Sequence, residues 1–263
     1  MKKFLSVTLA AAMVLSLAAC GSSSSNEADS TAAGVAEDKT YVIATDTVFA
    51  PFEFTDEENN FVGIDVDILD AIAQDQGFKY ELQSLGFDAA VASLESGQSD
   101  GVIAGMSITD ERKQKYDFSE AYYDSYVCMA VKADSDIQSY EDLEGKTVAA
   151  KTGTQGADCA ESLKDQYGFN IQYFDESSLM YQDVVTGNSV ACFEDQPVMA
   201  YGVSQGNGLE IVAEEKDNFS TPYGFAVLKG QNADLLKMFN EGLKNIKANG
   251  TYDEIVAKYT SAK

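Results

Sequence analysis

From Thr40 to Tyr259 short β-rich runs alternate with stretches whose apolar residues recur at helical spacing. That alternation points to an α/β architecture with largely parallel sheets. Strands are expected at Thr40–Ala44, Tyr80–Leu82 and Gly101–Ala104, with helices at Val66–Gln76 and Ala89–Ser96, the second closed by Gly97. Val66, Leu69, Ile72 and Ala73 carry the helical period of the first. A second series follows, with strands at Thr147–Ala150, Ile171–Phe174 and Val190–Phe193 and helices at Thr154–Gln166, Ser177–Val185 and Gln196–Ser204. Two long extended runs, Tyr122–Lys132 and Tyr223–Leu228, suit chain crossings between two lobes. Two C-terminal helices, Ala233–Ala248 and Tyr252–Tyr259, are separated by Asn249-Gly250, a helix stop. Two lobes joined by two crossings leave a cleft between them, a favoured place for a small ligand.

Composition narrows the chemistry. The formal charge is −25, so phosphate backbones would repel the chain and nucleic-acid binding is not expected. Histidine is absent, which removes Ser-His-Asp and Cys-His arrangements and most zinc sites. Cys128, Cys159 and Cys192 show no CxxC spacing, so no metal is expected; one disulfide of unassigned pairing with a spare thiol is open to them outside the cell, and buried free thiols are the default. No cofactor motif is present.

The N-terminus is organised differently. Two lysines, an apolar stretch from Phe4 to Leu17 and Ala18-Ala19-Cys20 read as a secretory signal, and the apolar core is shorter than a spanning helix needs. Leu17-Ala-Ala-Cys20 resembles a bacterial lipobox, which implies removal of residues 1–20 and lipidation of Cys20. Two acyl chains there would hold the protein to the outer face of a membrane. Residues 21–37, beginning Gly21-Ser-Ser-Ser-Ser25, are too polar and small to pack and read as a flexible tether.

Candidate ligand groups sit where strands end, beyond the carboxyl edge of α/β sheets. Asp46, Phe49 and Phe52 follow the first strand; Phe52 suits the core, and Asp46 and Phe49 suit the cleft. Phe87 and Asp88 follow the second strand, where Phe87 fits either core or cleft and Asp88 could cap the helix. Gly105 admits close approach to its backbone, Ser107 offers a hydroxyl and an N–H, and both lead to Arg112. Arg112 is the only arginine in the chain. Its planar fork of donors suits a carboxylate, whereas the plain alternative is a surface pair with Asp110 or Glu111. Lys151, Thr154 and Gln155 lie between a strand and a helix whose free N–H groups suit an anion, without P-loop order. Glu194 and Asp195 end a further strand; Asp195 caps the next helix or faces an ammonium group.

Four segments in order carry a resemblance: Ala44–Phe54 (ATDTVFAPFEF), Gly63–Asp67 (GIDVD), Gly105–Phe118 (GMSITDERKQKYDF) and Asn249–Ile255 (NGTYDEI). Together they are similar to the amino-acid-binding family of extracytoplasmic solute-binding proteins of ABC importers, and most to its glutamine-binding members. The resemblance spans about Thr40 to Tyr259. It implies the two-lobe periplasmic-binding-protein fold, with residues 38–122 and 223–263 in lobe 1, 127–219 in lobe 2, and a two-strand hinge near Tyr122–Tyr126 and Phe219–Tyr223. Carried over, Arg112, with Ser107 and the N–H groups near Thr154 and Gln155, would hold an α-carboxylate. Asp195 and the Gly105 carbonyl would hold the α-ammonium, and Phe49 and Phe87 would flank the stem. Asp46 and Lys151 would meet the side-chain tip, supplying the one acceptor and one donor that a carboxamide needs. The resemblance also implies a monomer that binds without catalysis and delivers its ligand to an ABC permease.

Glu194 and Gln155 depart from the residue types usual in glutamine-binding relatives. They leave basic amino acids (arginine, lysine, histidine) as the alternative ligand class. A carboxylate-dependent lyase on the same fold, using Glu194, Asp195 and Lys151 as acid and base, is the enzymatic alternative.

Overall fold

The structure is a computed structural model that describes residues 39–260. The signal segment, Cys20 and the tether lie outside the described residues. In the first lobe β1 (Thr40–Thr45), a short hairpin of β2 (Phe54–Thr55) and β3 (Phe61–Val62), α1 (Ile64–Gln76), β4 (Lys79–Ser84), α2 (Phe87–Glu95), β5 (Gly101–Val102), α3 (Arg112–Lys115) and β6 (Tyr116–Phe118) follow one another. The chain then crosses to a second lobe of β7 (Tyr126–Lys132), β8 (Thr147–Lys151), α4 (Gln155–Tyr167), β9 (Asn170–Phe174), α5 (Ser177–Thr186), β10 (Ala191–Asp195), α6 (Gln196–Ser204) and β11 (Leu209–Ser220). It returns as β12 (Ala226–Leu228), α7 (Ala233–Ala248) and α8 (Thr251–Thr260).

The sheets are mixed rather than largely parallel. The first has the order β4-β1-β5-β12-β6 and the second β11-β7-β10-β8-β9. In each, four strands point the same way and one runs against them, β12 in the first sheet and β7 in the second. The reversal follows from connectivity, because β7 enters the second lobe and β12 re-enters the first from the opposite end. The strand β11 has no counterpart among the sequence expectations. It is a half-exposed edge strand with register shifts at Ile211/Ala213 and Glu215/Ser220, so its side chains keep no alternation for a period of two to reveal.

Of the residues expected to carry the period of α1, Leu69, Ile72 and Ala73 are buried and Val66 is only partly so, while Ile64 and Ile68 complete the buried face. Ile64, Ile68, Leu69 and Ile72 of α1 are fully buried and pack into a core with Leu235, Phe239, Leu243 and Ile246 of α7. In the second lobe Val148 and Ala150 of β8 pack with Ala157 and Ala160 of α4. Cys128, Cys159 and Cys192 are buried free thiols.

The two crossing segments pair with each other. The N–H of Thr221 donates to the Ser125 carbonyl at 2.8 Å, that of Tyr223 to Tyr123 at 2.8 Å, and that of Tyr122 to Tyr223 at 2.9 Å. Tyr223 sits at the centre of this join. Its ring lies 5.0 Å from that of Phe52 and 6.2 Å from that of Tyr123, and it is fully buried.

Candidate functional site

Each lobe contributes strand ends to one cavity. From the first lobe come Asp46 just after β1, Phe49 in the turn that follows, Phe87 at the start of α2, Ala104, Gly105 and Ser107 after β5, and Arg112 opening α3. From the second come Lys151 at the end of β8, Thr154 and Gln155 at the start of α4, and Asp195 at the end of β10. The structure therefore brings all ten candidate residues to one place and adds Ala104. The cavity they leave is about 10 Å³, close to the room of one water molecule. A larger ligand reaches these groups only when the lobes part.

An ion pair spans the cleft. Lys151 Nζ donates to Asp46 Oδ2, and both residues are only 2 % exposed. Asp46 Oδ1 accepts from the Thr47 N–H at 2.6 Å, which fixes the carboxylate. The ammonium of Lys151 lies 5.2 Å from the Phe49 ring centroid and 6.0 Å from that of Phe87. Two aromatic faces thus wall the pair off from water, where its attraction is strongest.

Arg112 does not pair with Asp110 or Glu111. Its Nη1 donates to the Ser107 carbonyl at 3.0 Å and its Nη2 crosses to the Gly153 carbonyl of the second lobe at 2.9 Å. The guanidinium carbon lies 5.4 Å from the Phe87 ring centroid. Burial lowers its pKa, opposed by Asp158 and Asp195. The helix that carries it is a single turn. Phe87 resolves its two readings by fulfilling both: it packs with Ala90 and Leu94 in a core cluster and also lines the cavity. Asp88 does not cap α2; the N-cap position belongs to Gly86.

At the start of α4, Thr154 Oγ1 accepts from the Ala157 N–H at 3.3 Å. The N–H groups of Gln155 and Gly156 belong to the first turn and have no intrahelical acceptor. The Gln155 side chain turns along its own helix and donates to Asp158 Oδ2 at 2.7 Å. Gly105 has φ 53°, and a Cβ there would stand 2.5 Å from the Phe49 ring, so only glycine lets this strand end approach the aromatic wall.

Asp195 and Glu194 separate sharply, because neighbours in a strand point to opposite faces. Glu194 faces the interior of the second lobe, where its Oε2 accepts from Ser177 at 2.7 Å and Tyr181 at 2.8 Å. It does not line the cavity, which corrects its reading as a group that sets tip chemistry or serves as acid and base. Asp195 occupies the N-cap position of α6 but its side chain makes no capping bond. Its Oδ2 accepts from the Tyr223 hydroxyl at 2.6 Å, while Oδ1 is buried without a partner. Burial and the charge of Glu194 push its pKa up to about 7, while Tyr223, Arg112 and Lys151 pull it down.

Tyr223 is the residue the sequence does not disclose. Its hydroxyl accepts from Ser125 at 3.1 Å and donates to Asp195, and its ring lies 6.5 Å from Phe49. A crossing segment is thereby wired to acid and aromatic groups of the cavity.

The family model of bacterial extracellular solute-binding proteins, family 3, matches residues 41–262. The arginine-binding extracellular protein ArtP of Bacillus subtilis is 31 % identical over 98 % of this chain and 98 % of its own. The ABC transporter glutamine-binding protein GlnH of the same species is likewise 31 % identical, over 98 % and 97 %. Among solved structures, an ancestral arginine-binding protein bound to arginine is 38 % identical over 86 % of this chain and all of its own, with a TM-score of 0.78.

Proposed function

Because the chain belongs to the bacterial extracellular solute-binding proteins of family 3, we propose that it captures a polar L-amino acid, glutamine, between its lobes and delivers it to an ABC permease. The observation that carries this reading is the buried Lys151–Asp46 pair, one donor and one acceptor set opposite each other inside the cavity. A carboxamide inserts between them with its oxygen toward Lys151 and its NH₂ toward Asp46. Glutamate would meet Asp46 as a like charge and arginine would meet Lys151, juxtapositions that cost several kcal/mol.

The remaining groups suit the rest of a zwitterion. Arg112 and the first-turn N–H groups of α4 receive the α-carboxylate. The unpartnered Oδ1 of Asp195 receives the α-ammonium, together with the Gly105 carbonyl. Phe49 and Phe87 cover the stem. Since ligand contacts come from both lobes, the closed form binds better and the ligand shifts the population toward it. The carboxylate roles are binding roles: Glu194 is committed to Ser177 and Tyr181 and does not join Asp195 in the cavity, and Asp46 is held by Lys151. Cys20 acylation would keep this cycle at the outer membrane face, with the protein acting as a monomer.

A reading as a binder of basic amino acids draws on relatives named for arginine and requires Lys151 to leave Asp46. A melting-temperature screen of the ligand-stripped domain against the common amino acids, followed by recovery of the ligand, separates the possibilities. The glutamine reading predicts the largest rise with glutamine and its return unchanged. A largest rise with arginine, or a converted ligand, contradicts it.

A further inference from the structure

Behind the cavity wall two acids meet out of reach of solvent. Glu53 and Asp65 are both 0 % exposed, and their carboxyl groups lie within hydrogen-bonding reach of each other. Gly63 makes the meeting possible: at φ 146° its missing Cβ would stand 1.9 Å from the Phe52 carbonyl oxygen. The first turn of α1 therefore lies directly on the Pro51–Glu53 turn, with Ile64 and Asp65 donating their N–H groups to Pro51 and Phe52 at 2.9 Å. Asp65 Oδ2 accepts twice, from the Gly105 N–H at 2.8 Å and from the Tyr122 hydroxyl at 2.8 Å. Asp65 Oδ1 and both oxygens of Glu53 are buried without any donor.

Two ionised carboxylates cannot rest in that arrangement cheaply. Three acceptor oxygens would be left unpaired and two like charges would face each other in a dry interior. One proton relieves both faults, since it turns an oxygen of Glu53 into a donor toward Asp65 Oδ1, pairing two of the three oxygens, and halves the charge. We propose that Glu53 and Asp65 share a single proton at neutral pH and act as a positioning pair that sets Gly105 at the cavity and Tyr122 at the crossing. The groups facing the pair are Asp46 and Lys151 from the cavity side, Tyr122 from the crossing and the Gly105 peptide. Burial, then the charges of Asp65 and Asp46, hold Glu53 well above the usual carboxylate range, against the pull of Lys151. Asp65 is raised by burial only to about 6, because Gly105 and Tyr122 donate to it. Asp65 Oδ2 already accepts two donors and Glu53 none, so the charge is favoured on Asp65 and the proton on Glu53.

The positioning role rests on the amino-acid reading above; the proton itself does not. Infrared difference spectra of wild type minus E53Q, taken above the titration of Asp195, read the proton without ligand. A protonated carboxylic-acid C=O band is predicted, and its absence overturns the shared proton. Melting against pH provides a second ligand-free reading. Glu53 has a raised folded pKa, so its contribution to stability is present at lower pH and lost as pH rises through that folded value; E53Q lacks this alkaline loss. Equal alkaline loss in both proteins contradicts the proposal. For the positioning role, E53Q is expected to bind glutamine within about threefold of wild type, because its amide replaces the donor, while E53A weakens binding about tenfold by leaving Asp65 unpaired. Wild-type affinity in E53A overturns the positioning role. Loss of glutamine binding by wild type itself would sink the amino-acid reading and leave the infrared and melting results to stand on their own.

Discussion

Tyr223 donates its hydroxyl proton to Asp195 Oδ2 at 2.6 Å, so a residue of the chain crossing holds the acid that faces the cavity from the second lobe. Tyr223→Phe removes one of the few donors that stabilise the ionised form of this buried carboxylate. The pKa of Asp195 is expected to move further up and glutamine affinity at neutral pH to fall by about 1.5–3 kcal/mol. Calorimetry on the variant, with circular dichroism as a check on the fold, measures it.

The state of Asp195 also predicts a pH dependence. Its folded pKa of about 7 stands well above the ordinary aspartate range, so in the ligand-free protein its contribution to stability is present at acid pH and is lost as pH rises through about 7. Binding an ammonium needs the ionised form, so the ligand effect has the opposite sign. Affinity is expected to fall as pH drops below about 7, by as much as about tenfold per unit, with a proton released on binding. Titrations in buffers of different ionisation enthalpy count that proton; Asp195→Asn should release none.

Lys151 and Asp46 set the tip chemistry, and each can be edited. Asp46→Asn removes the like charge that opposes glutamate and is expected to raise glutamate affinity relative to glutamine by at least about tenfold. Lys151→Met leaves Asp46 buried and unpaired, so the fold is expected to lose about 3–5 kcal/mol and preference to swing toward arginine and lysine. Competition binding on both variants reads the direction of the change.

Arg112 joins the lobes and carries the only guanidinium of the chain. Arg112→Ala is expected to cost about 2–5 kcal/mol of ligand affinity, and Arg112→Lys most of that loss, because an ammonium cannot supply the parallel donors. Near-wild-type affinity in the alanine variant would remove Arg112 from the site.

What the sequence disclosed follows from which forces act locally. Parallel strands buried on both faces leave short apolar runs such as Thr147–Ala150, and the helical spacing of Leu69, Ile72 and Ala73 marks the buried face of α1, so these elements were legible. Cavity residues were legible because strand ends are where α/β sheets place ligands, and because Arg112 stands alone among lysines. The edge strand β11 hid behind its bulges. Tyr223 hid because its bond to Asp195 joins residues 28 apart, on an element with no periodic signal. The opposite facing of Glu194 and Asp195 was available from strand alternation, which would have removed Glu194 from the cavity at once. The Glu53–Asp65 contact depends on Gly63, whose need for φ 146° no local pattern announces.

The most direct measurement is calorimetric titration of the ligand-stripped domain, residues 39 onward, with glutamine, glutamate and arginine in turn. One-to-one binding of glutamine, tighter than either charged neighbour by at least about tenfold, is the predicted result. Tighter binding of arginine would contradict the Lys151–Asp46 reading at its centre, since the cation would have to displace Lys151 from Asp46.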